Sequence, residues 1–295
     1  MDSSVAAGFN LTEAKLLAVA KLAPKLRAKA LGAIGRREFE KCEASPIYWL
    51  DASQHVKTKA FPQGLPYVFT KDPHVIYNCG DCGAEVYADK RISHMEISHG
   101  GEGTWTEQRL RKHYSQLPDV RPFTLLEYMP PLVEHWQRSQ YFAIEKSRDM
   151  MATWLMVAMF TWDAMFHRGR QFIFQSQDAT KTLELVQRAK VIMAEQPKFL
   201  RDTIGKVVFT KGNSRSGELY FIDQESEIIG LPQGGDQIRQ YHPSAVFSDE
   251  SAFQQQFQDS FTAIKPAIQN GGKYTCISSP NRSYFELLCR DRSDS

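Results

Sequence analysis

Thirteen consecutive residues near the middle of the chain, Met150 to Trp162, carry no charged side chain. The run is too short to cross a bilayer, which needs about 20 apolar residues. A helix that is apolar on every side is typical of a helix buried against a sheet. We therefore expect a buried helix over Ala152–Phe166 inside a globular core, and no membrane segment.

Short apolar segments surround this helix and recur after it. Tyr141–Glu145 precedes the helix, and residues 171–176 follow it. Asp178 then caps a second amphipathic helix. Further short strands are predicted at Val207–Thr210 and at residues 218–223, 227–231, 245–247 and 274–277. Because strands alternate with helices, we predict an α/β fold with a mainly parallel sheet and helices on both of its faces.

The basic residues are concentrated near the N-terminus, although the net charge of the whole chain is only +2. They are Lys15, Lys21, Lys25, Arg27, Lys29, Arg36 and Arg37. Lysines interrupt the apolar run of this segment, so it lacks the apolar region of a signal peptide. We predict an amphipathic basic helix, which either packs on the body of the protein or docks on DNA or a partner.

The chain contains five cysteines and no predicted secretory signal. An odd number of cysteines in such a chain is typical of reduced thiols in a cytoplasmic protein. The length allows one large domain or two smaller ones, with enough apolar residues for a substantial core.

The loop before the buried helix has features of a phosphate cradle. The standard sequence is G-x-x-x-x-G-K-S/T, whose backbone N–H groups surround the phosphates, whose lysine reaches them and whose hydroxyl binds Mg²⁺. Here Lys146 takes the first glycine position, Met151 the second, and Thr153 the hydroxyl position. Lys146 and Arg148 still supply cations. The alternative is an ordinary strand–turn–helix with surface charges.

Two adjacent carboxylates, Asp249 and Glu250, follow an apolar strand further along the chain. At a strand end the aspartate can hold Mg²⁺, and the next carboxylate can accept a proton from an attacking water. An apolar strand followed by two carboxylates is common by chance. It is more informative here because it lies downstream of the cradle. The next strand ends in Ser278, Ser279 and Asn281, where a γ-phosphate sensor would lie.

These motifs, taken in order, resemble the ATPase domain of the large terminase subunits of tailed bacteriophages. They are Lys-Ser-Arg-x-Met-x-x-Thr-Trp at 146–154, Asp-Glu at 249–250 and Ser-Ser-Pro-Asn at 278–281. The resemblance covers residues 120–290, and some members of the family also carry the lysine at the start of the loop. It implies a P-loop NTPase fold of the ASCE type.

The resemblance also implies an activity and partners. The chain would be the motor that couples Mg²⁺-dependent ATP hydrolysis to translocation of double-stranded DNA into a procapsid. It would act in the host cytoplasm with a portal protein and a small terminase subunit. It would form a homo-oligomeric ring on the procapsid and be a monomer when alone.

By position, the resemblance implies a role for each motif residue. The nucleotide and its metal would be bound by Lys146, Ser147, Arg148, Thr153 and Asp249, with Glu250 as the general base. Hydrolysis would be coupled to DNA movement by Ser278, Ser279 and Asn281. Arg239 would be a catalytic arginine finger that reaches a neighbouring subunit, or else part of a surface salt bridge. Gln137 is a candidate for reading the adenine.

The chain departs from the family pattern in two ways. Met151 replaces the usual glycine, which changes the expected geometry of the loop. The sequence also stops at Ser295, whereas full-length members continue into an RNase H-like nuclease domain. We therefore expect a fragment without DNA-cleaving activity.

A zinc site is predicted from two cysteines and two histidines, Cys79-x2-Cys82-x11-His94-x4-His99. Thiolates combined with imidazoles suit tetrahedral Zn²⁺ at this spacing. The alternative is a turn with two reduced cysteines and unrelated histidines.

Other residues bear on the same segment. Cys42 is a possible replacement ligand if His99 is not used, and His113 is a weaker candidate. The helix of such a module can enter the DNA major groove, but this one offers only Lys90 and Arg91 as cations. A structural knuckle or a protein-docking module is favoured over base recognition.

We divide the chain into an N-terminal helical and irregular region (1–70), a C2H2-like zinc module (71–115) and a P-loop ATPase domain (116–295). Two other functions remain open. One is a zinc-finger module for binding nucleic acid or protein on a catalytically weak or inactive ATPase scaffold, for which Met151 is the best argument. The other is an unrelated helicase-like ATPase, which explains residues 278–281 less well.

Overall fold

The computed structural model describes residues 11–71, 76–87, 90–101, 104, 120–148, 150–210 and 216–290. The chain divides into two compact units, one formed by residues 1–68 with 124–295 and the other by residues 69–123. Within the described residues, no helix combines the length and apolar character that a membrane span requires.

The strands are numbered in chain order. They are β1 Phe69–Lys71, β2 Ile76–Asn78, β3 Glu85–Tyr87, β4 Val120–Pro122, β5 Tyr141–Glu145, β6 Gln171–Gln175, β7 Val207–Thr210, β8 Glu218–Phe221, β9 Ser226–Gly230, β10 Ala245–Asp249 and β11 Lys273–Ser278.

The helices are numbered in the same way. They are α1 Glu13–Ala20, α2 Pro24–Ala44, α3 Pro46–Leu50, α4 Arg91–His99, α5 Met129–Arg138, α6 Ala152–Phe166, α7 Ala179–Glu195, α8 Lys198–Ile204, α9 Gly235–Ile238, α10 Phe257–Gln269 and α11 Tyr284–Arg290. Ala52–Gln54 and Ser251–Phe253 form short 3-10 turns.

A seven-stranded sheet forms the centre of the larger unit, in the order β5-β11-β10-β6-β9-β8-β7. The first five strands in this order are parallel, β8 is antiparallel to β9, and β7 is antiparallel to β8. The mainly parallel sheet predicted from the sequence is therefore confirmed. Because β11 pairs with both β5 and β10, the carboxyl ends of these three strands lie at one edge of the sheet.

Helix α6 is buried on nearly all sides, as predicted from its uncharged sequence. Twelve of its fifteen residues are buried. Its Phe160 ring packs against Phe172 on β6 and Phe247 on β10, each with ring centroids 5.5 Å apart. On the side of α2, Trp162 Nε1 donates to the carbonyl oxygen of Cys42 at 2.6 Å. The helix is therefore held between the sheet and the N-terminal helices.

The opposite face of the sheet is covered by helices α10 and α11. Their Phe257, Phe261 and Phe285 share a core cluster with alternate residues of the strands, such as Val246 and Tyr274. Helices thus flank the sheet on both of its faces.

The N-terminal basic segment forms two helices, α1 and α2, rather than the single helix predicted. Pro24 starts α2 because proline is favoured in the first turn of a helix. The second half of α2 packs on α8, where Gly35 lies close to Phe199 and Thr203. Residues 24–29, at the start of α2, are exposed.

The smaller unit contains two short antiparallel pairs, β1 with β4 and β2 with β3. Helix α4 follows the β2–β3 hairpin. Val86 and Met95 are buried between them, with 6% and 0% of their surface exposed. This is a ββα arrangement with a small apolar core.

Candidate functional site

The predicted phosphate loop connects the carboxyl end of β5 to the start of α6. The backbone N–H of Lys146 donates to the carbonyl oxygen of Ser278 at 2.9 Å, which fixes the start of the loop on β11. Tyr128 Oη donates to the carbonyl oxygen of Met150 near its end. Sequence reasoning missed Tyr128, because nothing in the pattern around it indicates a contact 22 residues away.

Met151 is the N-cap of α6 and has a left-handed backbone, with φ 53° and ψ 8°. This region is uncommon for residues other than glycine, because Cβ crowds the backbone. The loop therefore takes at residue 151 a conformation that favours glycine, although the side chain is methionine.

Two side-chain oxygen atoms meet across the site. Thr153 Oγ1, in the first turn of α6, donates to Asp249 Oδ1 at the end of β10 over 3.0 Å. Mg²⁺ binds oxygen atoms at about 2.0–2.1 Å in an octahedron, which places neighbouring ligands about 2.9 Å apart. The spacing and the chemistry of this pair fit a magnesium ion.

Asp249 is buried, and burial raises the pKa of its carboxyl. The pKa of the Asp249 carboxyl is raised to about 6, because burial, together with the nearby Glu250, raises it more than Arg188, Thr153 and Lys146 lower it. At neutral pH the group is still ionised in most molecules, as a metal ligand must be. Arg188, which lies over the ring of Trp154 at 5.3 Å, was not singled out from the sequence.

Lys146 and Glu250 form an ion pair at the same edge of the sheet. Lys146 Nζ lies 3.1 Å from Glu250 Oε1, and the lysine side chain is only 10% exposed. Ser278 Oγ lies 3.5 Å from the other carboxylate oxygen of Glu250. Three residues predicted from separate motifs are thus in contact.

The turn after the carboxylates is anchored to β11 and the segment that follows it. The backbone N–H of Ala252 donates to Ser278 Oγ at 3.1 Å, and Asn281 Nδ2 donates to the carbonyl oxygen of Ala252 at 3.3 Å. Ser278 and Asn281 therefore connect the end of β11 to the Glu250 turn. Gln254 also holds this turn, and sequence reasoning did not identify it.

Four predicted residues are not brought into this cluster. Ser147 and Arg148 are exposed, Ser279 is half-buried, and none of the three makes a side-chain hydrogen bond within the described part of the chain. Arg239, just after α9, forms an exposed pair with Asp236 at 2.9 Å, the surface salt bridge considered as its alternative.

Gln137 lies at the other edge of the sheet from this cluster. Its carbonyl oxygen accepts from Lys273 Nζ at 3.3 Å, at the amino end of β11, whereas Ser278 lies at the carboxyl end. We assign Gln137 no role in nucleotide binding.

The four predicted zinc ligands come together in the smaller unit. The ligand atoms of Cys79, Cys82, His94 and His99 all lie within 4.8 Å of one another. Cys79 Sγ is 3.5 Å from His99 Nε2, and Cys82 Sγ is 3.5 Å from His94 Nε2. Tetrahedral zinc with bonds of about 2.0–2.3 Å places neighbouring ligand atoms about 3.5 Å apart. The cluster fits such an ion.

The remaining ring nitrogen of His94 also has a polar neighbour. Its Nδ1 lies 3.4 Å from Ser98 Oγ, and this contact helps to fix the orientation of the imidazole ring. Cys42, the proposed replacement ligand, is fully buried in α2, and burial raises the pKa of its thiol, which disfavours the thiolate. His113 lies outside the described residues.

No family model and no curated protein matches the sequence. Among solved structures, the fold is similar to the large terminase of bacteriophage HK97, at 15% identity and a TM-score of 0.44 over 54% of this chain and 34% of that chain. The large terminase ATPase domain of Thermus phage P74-26 is similar at 14% identity and a TM-score of 0.42, over 56% of this chain and 69% of that chain.

A large terminase from a thermophilic bacteriophage, solved in complex with ADP, is similar at 10% identity and a TM-score of 0.35, over 53% of this chain and 39% of that chain. The match thus spans about a third of the length of the HK97 protein. A similarity this distant assigns no role to any residue of this chain, whose site is defined by its own geometry.

Proposed function

We propose that this chain is a magnesium-dependent ATPase, the motor domain of a phage large terminase. The observation that carries the proposal is the convergence of Lys146, Thr153, Asp249 and Glu250 at one edge of the sheet. The strand order supports the ASCE type of P-loop fold, because the strand that ends in Ser278 lies between the phosphate-loop strand and the carboxylate strand.

Each residue has a chemical task in this proposal. Thr153 and Asp249 would hold Mg²⁺, which neutralises charge on the phosphates when it is bound. Lys146 would leave Glu250 for the phosphates, with Arg148 as a second cation. Glu250 would then accept a proton from the attacking water. In this proposal the ion pair between Lys146 and Glu250 would separate when nucleotide binds.

We also propose that this chain acts on DNA together with partner proteins. Ser278, Ser279 and Asn281 would couple hydrolysis to translocation of double-stranded DNA, and contacts from Ser278 and Asn281 to the Glu250 turn support this. Arg239 is exposed and would act on a neighbouring subunit of a ring. A portal protein and a small terminase subunit would be the other partners. Residues 116–295 would form the ATPase domain, and residues 1–70 would be its N-terminal helical and irregular region.

We further propose that residues 71–115 form a zinc module with Cys79, Cys82, His94 and His99 as ligands. Zinc would stabilise the fold of this segment, because structural zinc sites contribute directly to folding. Lys90 and Arg91 are its only cations between residues 90 and 99, and Arg91 is 97% buried, so base recognition is not part of the proposal.

The test of the ATPase is the hydrolysis of ATP with and without Mg²⁺, using Glu250→Gln as the principal variant. We expect Glu250→Gln to reduce kcat by about 100-fold or more, since a general base contributes about 10²–10⁴. Glu225→Gln is the matched control, because Glu225 also has a positive φ of 53° but is exposed and pairs with Arg168. Equal activity of the wild type and Glu250→Gln would show that the base is assigned wrongly.

A second candidate function is favoured by Met151. Its side chain lies at the position where glycine normally lets the phosphates approach the backbone. The chain would then be a zinc-containing binding module on an inactive ATPase scaffold. Calorimetry with an ATP analogue separates the two functions, because the inactive scaffold predicts no nucleotide binding.

A further inference from the structure

Gln254 is a buried glutamine, 6% exposed, at the end of the turn that follows the two carboxylates. Its Nε2 donates to the carbonyl oxygen of Asp249 at 2.8 Å and to Ser248 Oγ at 2.9 Å. An amide nitrogen carries two hydrogens, so both are used in these bonds. The side chain therefore ties the turn back to the last two residues of β10.

The orientation of this amide is determined by its surroundings. Gln254 Oε1 is buried and has no hydrogen-bond partner among the residues that the structure describes. If the nitrogen and oxygen were exchanged, Oε1 would face the carbonyl oxygen of Asp249, and two acceptors would oppose each other. The two donor bonds thus hold the side chain in place even though its oxygen is left without a partner.

Glu250 lies between two anchored points of the backbone. It has a left-handed conformation, with φ 50° and ψ 44°, which a residue other than glycine keeps only when its surroundings hold it there. On one side Gln254 holds the Asp249 carbonyl, and on the other Ser278 Oγ holds the N–H of Ala252. The direction of the Glu250 carboxylate depends on both anchors.

We infer that Gln254 is a positioning residue: by holding the Asp249 carbonyl, it keeps the Glu250 backbone in the conformation that directs its carboxylate toward the attacking water. This rests on the proposed ATPase function. Gln254 acts through Glu250, and its hydrogen bonds involve neither Lys146 nor Thr153. Gln254 contacts Asp249 at its backbone carbonyl, and the Asp249 carboxylate has its own contact with Thr153. We therefore expect the loss of Gln254 to reduce the rate of the chemical step more than the affinity for nucleotide.

The first test is Gln254→Met in the full chain, which keeps the length of the side chain and removes both donors. We expect kcat for ATP to fall about tenfold to 100-fold, because a displacement of about 1 Å near the reacting groups has an effect of this size. KM should change by less than about threefold. Gln255→Met is the matched control, since Gln255 is the exposed neighbour, and it should keep both constants. Unchanged kcat in Gln254→Met would overturn the inference.

A double-mutant cycle with Glu250→Gln distinguishes positioning from general support of the fold. If Gln254 acts through Glu250, adding Gln254→Met to Glu250→Gln produces no further loss in the single-turnover rate. If the two losses multiply, the inference is wrong and the proposed function stands. If the wild type neither binds nor hydrolyses ATP, the proposed function fails and the inference fails with it.

Discussion

At the scale of single residues, Met151 combines a methionine side chain with a backbone conformation that favours glycine. Its φ of 53° lies in the left-handed region, which glycine adopts more readily than other residues. From the sequence we expected Met151 to change the geometry of the loop, because the sequence shows the side chain and not the dihedral angle. In this loop the strained backbone is at Met151. Lys146 still contacts Glu250, and Thr153 still contacts Asp249.

Met151→Gly tests this account of the loop. Glycine removes about 1–2 kcal/mol of left-handed strain and adds about 0.5–1 kcal/mol of backbone entropy lost on folding, so the free energy of unfolding should change by less than about 1 kcal/mol. Affinity for ATP should stay the same or rise, because the backbone becomes more accessible. Met150→Gly is the control: Met150 has no positive φ, so glycine there should destabilise the protein. Chemical denaturation and nucleotide titration measure both effects, and a large loss in Met151→Gly would contradict the account.

Lys273 gives a pH-dependent prediction at the same scale. Burial lowers the pKa of its ammonium group from 10.5 to about 8, although Asp163 acts in the opposite direction. The unfolded chain therefore binds this proton more tightly than the folded chain, and the contribution of Lys273 to stability rises with pH between about 8 and 10.5. It is lost as the pH falls through 8.

We expect the stability difference between wild type and Lys273→Met to shift in favour of the wild type over that pH interval. Urea unfolding at several pH values measures it. Lys265→Met, at an exposed position of α10, should show no such dependence. A difference for Lys273→Met that is constant with pH would mean that its ammonium group is not perturbed.

At the scale of elements, the sequence predicted most of the sheet because apolar strands and a fully buried helix have characteristic patterns. It also placed Thr153, Asp249 and Ser278 in one site, through the order of their motifs and the resemblance to large terminase ATPase domains. The break between α1 and α2 was missed although Pro24 indicates it. Tyr128 and Gln254 were missed because their contacts depend on tertiary packing, which leaves no local pattern.

The contact between α2 and α8 leads to a prediction with an internal control. A Cβ at Gly35 would lie 2.3 Å from the carbonyl oxygen of Phe199 and 2.2 Å from Thr203 Oγ1. Gly35→Ala should therefore reduce the free energy of unfolding by about 1–3 kcal/mol, because overpacking forces the helices apart. Gly32→Ala, in the same helix, meets nothing closer than 3.7 Å and should stabilise by up to about 1 kcal/mol. Equal effects of the two variants in thermal unfolding would contradict this packing.

At the scale of the whole molecule, the protein consists of two units, each with its own core, and the proposed zinc and ATP sites lie in different units. Removing zinc with a chelator should therefore increase hydrogen exchange in residues 76–99 and leave the strands of the large sheet protected. Cys82→Ser should have the same effect without a chelator, whereas Cys289→Ser should not. Exchange that is unchanged by the chelator, in protein that contains no zinc by metal analysis, would exclude the zinc module.

We propose that Lys146, Thr153, Asp249 and Glu250 form one nucleotide site despite the altered loop. Calorimetric titration with a non-hydrolysable ATP analogue and Mg²⁺ tests it most directly. We expect the analogue to bind to the wild type and to Lys181→Ala, because the side chain of Lys181 is exposed on α7. Lys146→Ala and Thr153→Ala should each weaken binding about tenfold or more, equivalent to about 1.4 kcal/mol. No binding to the wild type, or equal affinity in all four proteins, would contradict it.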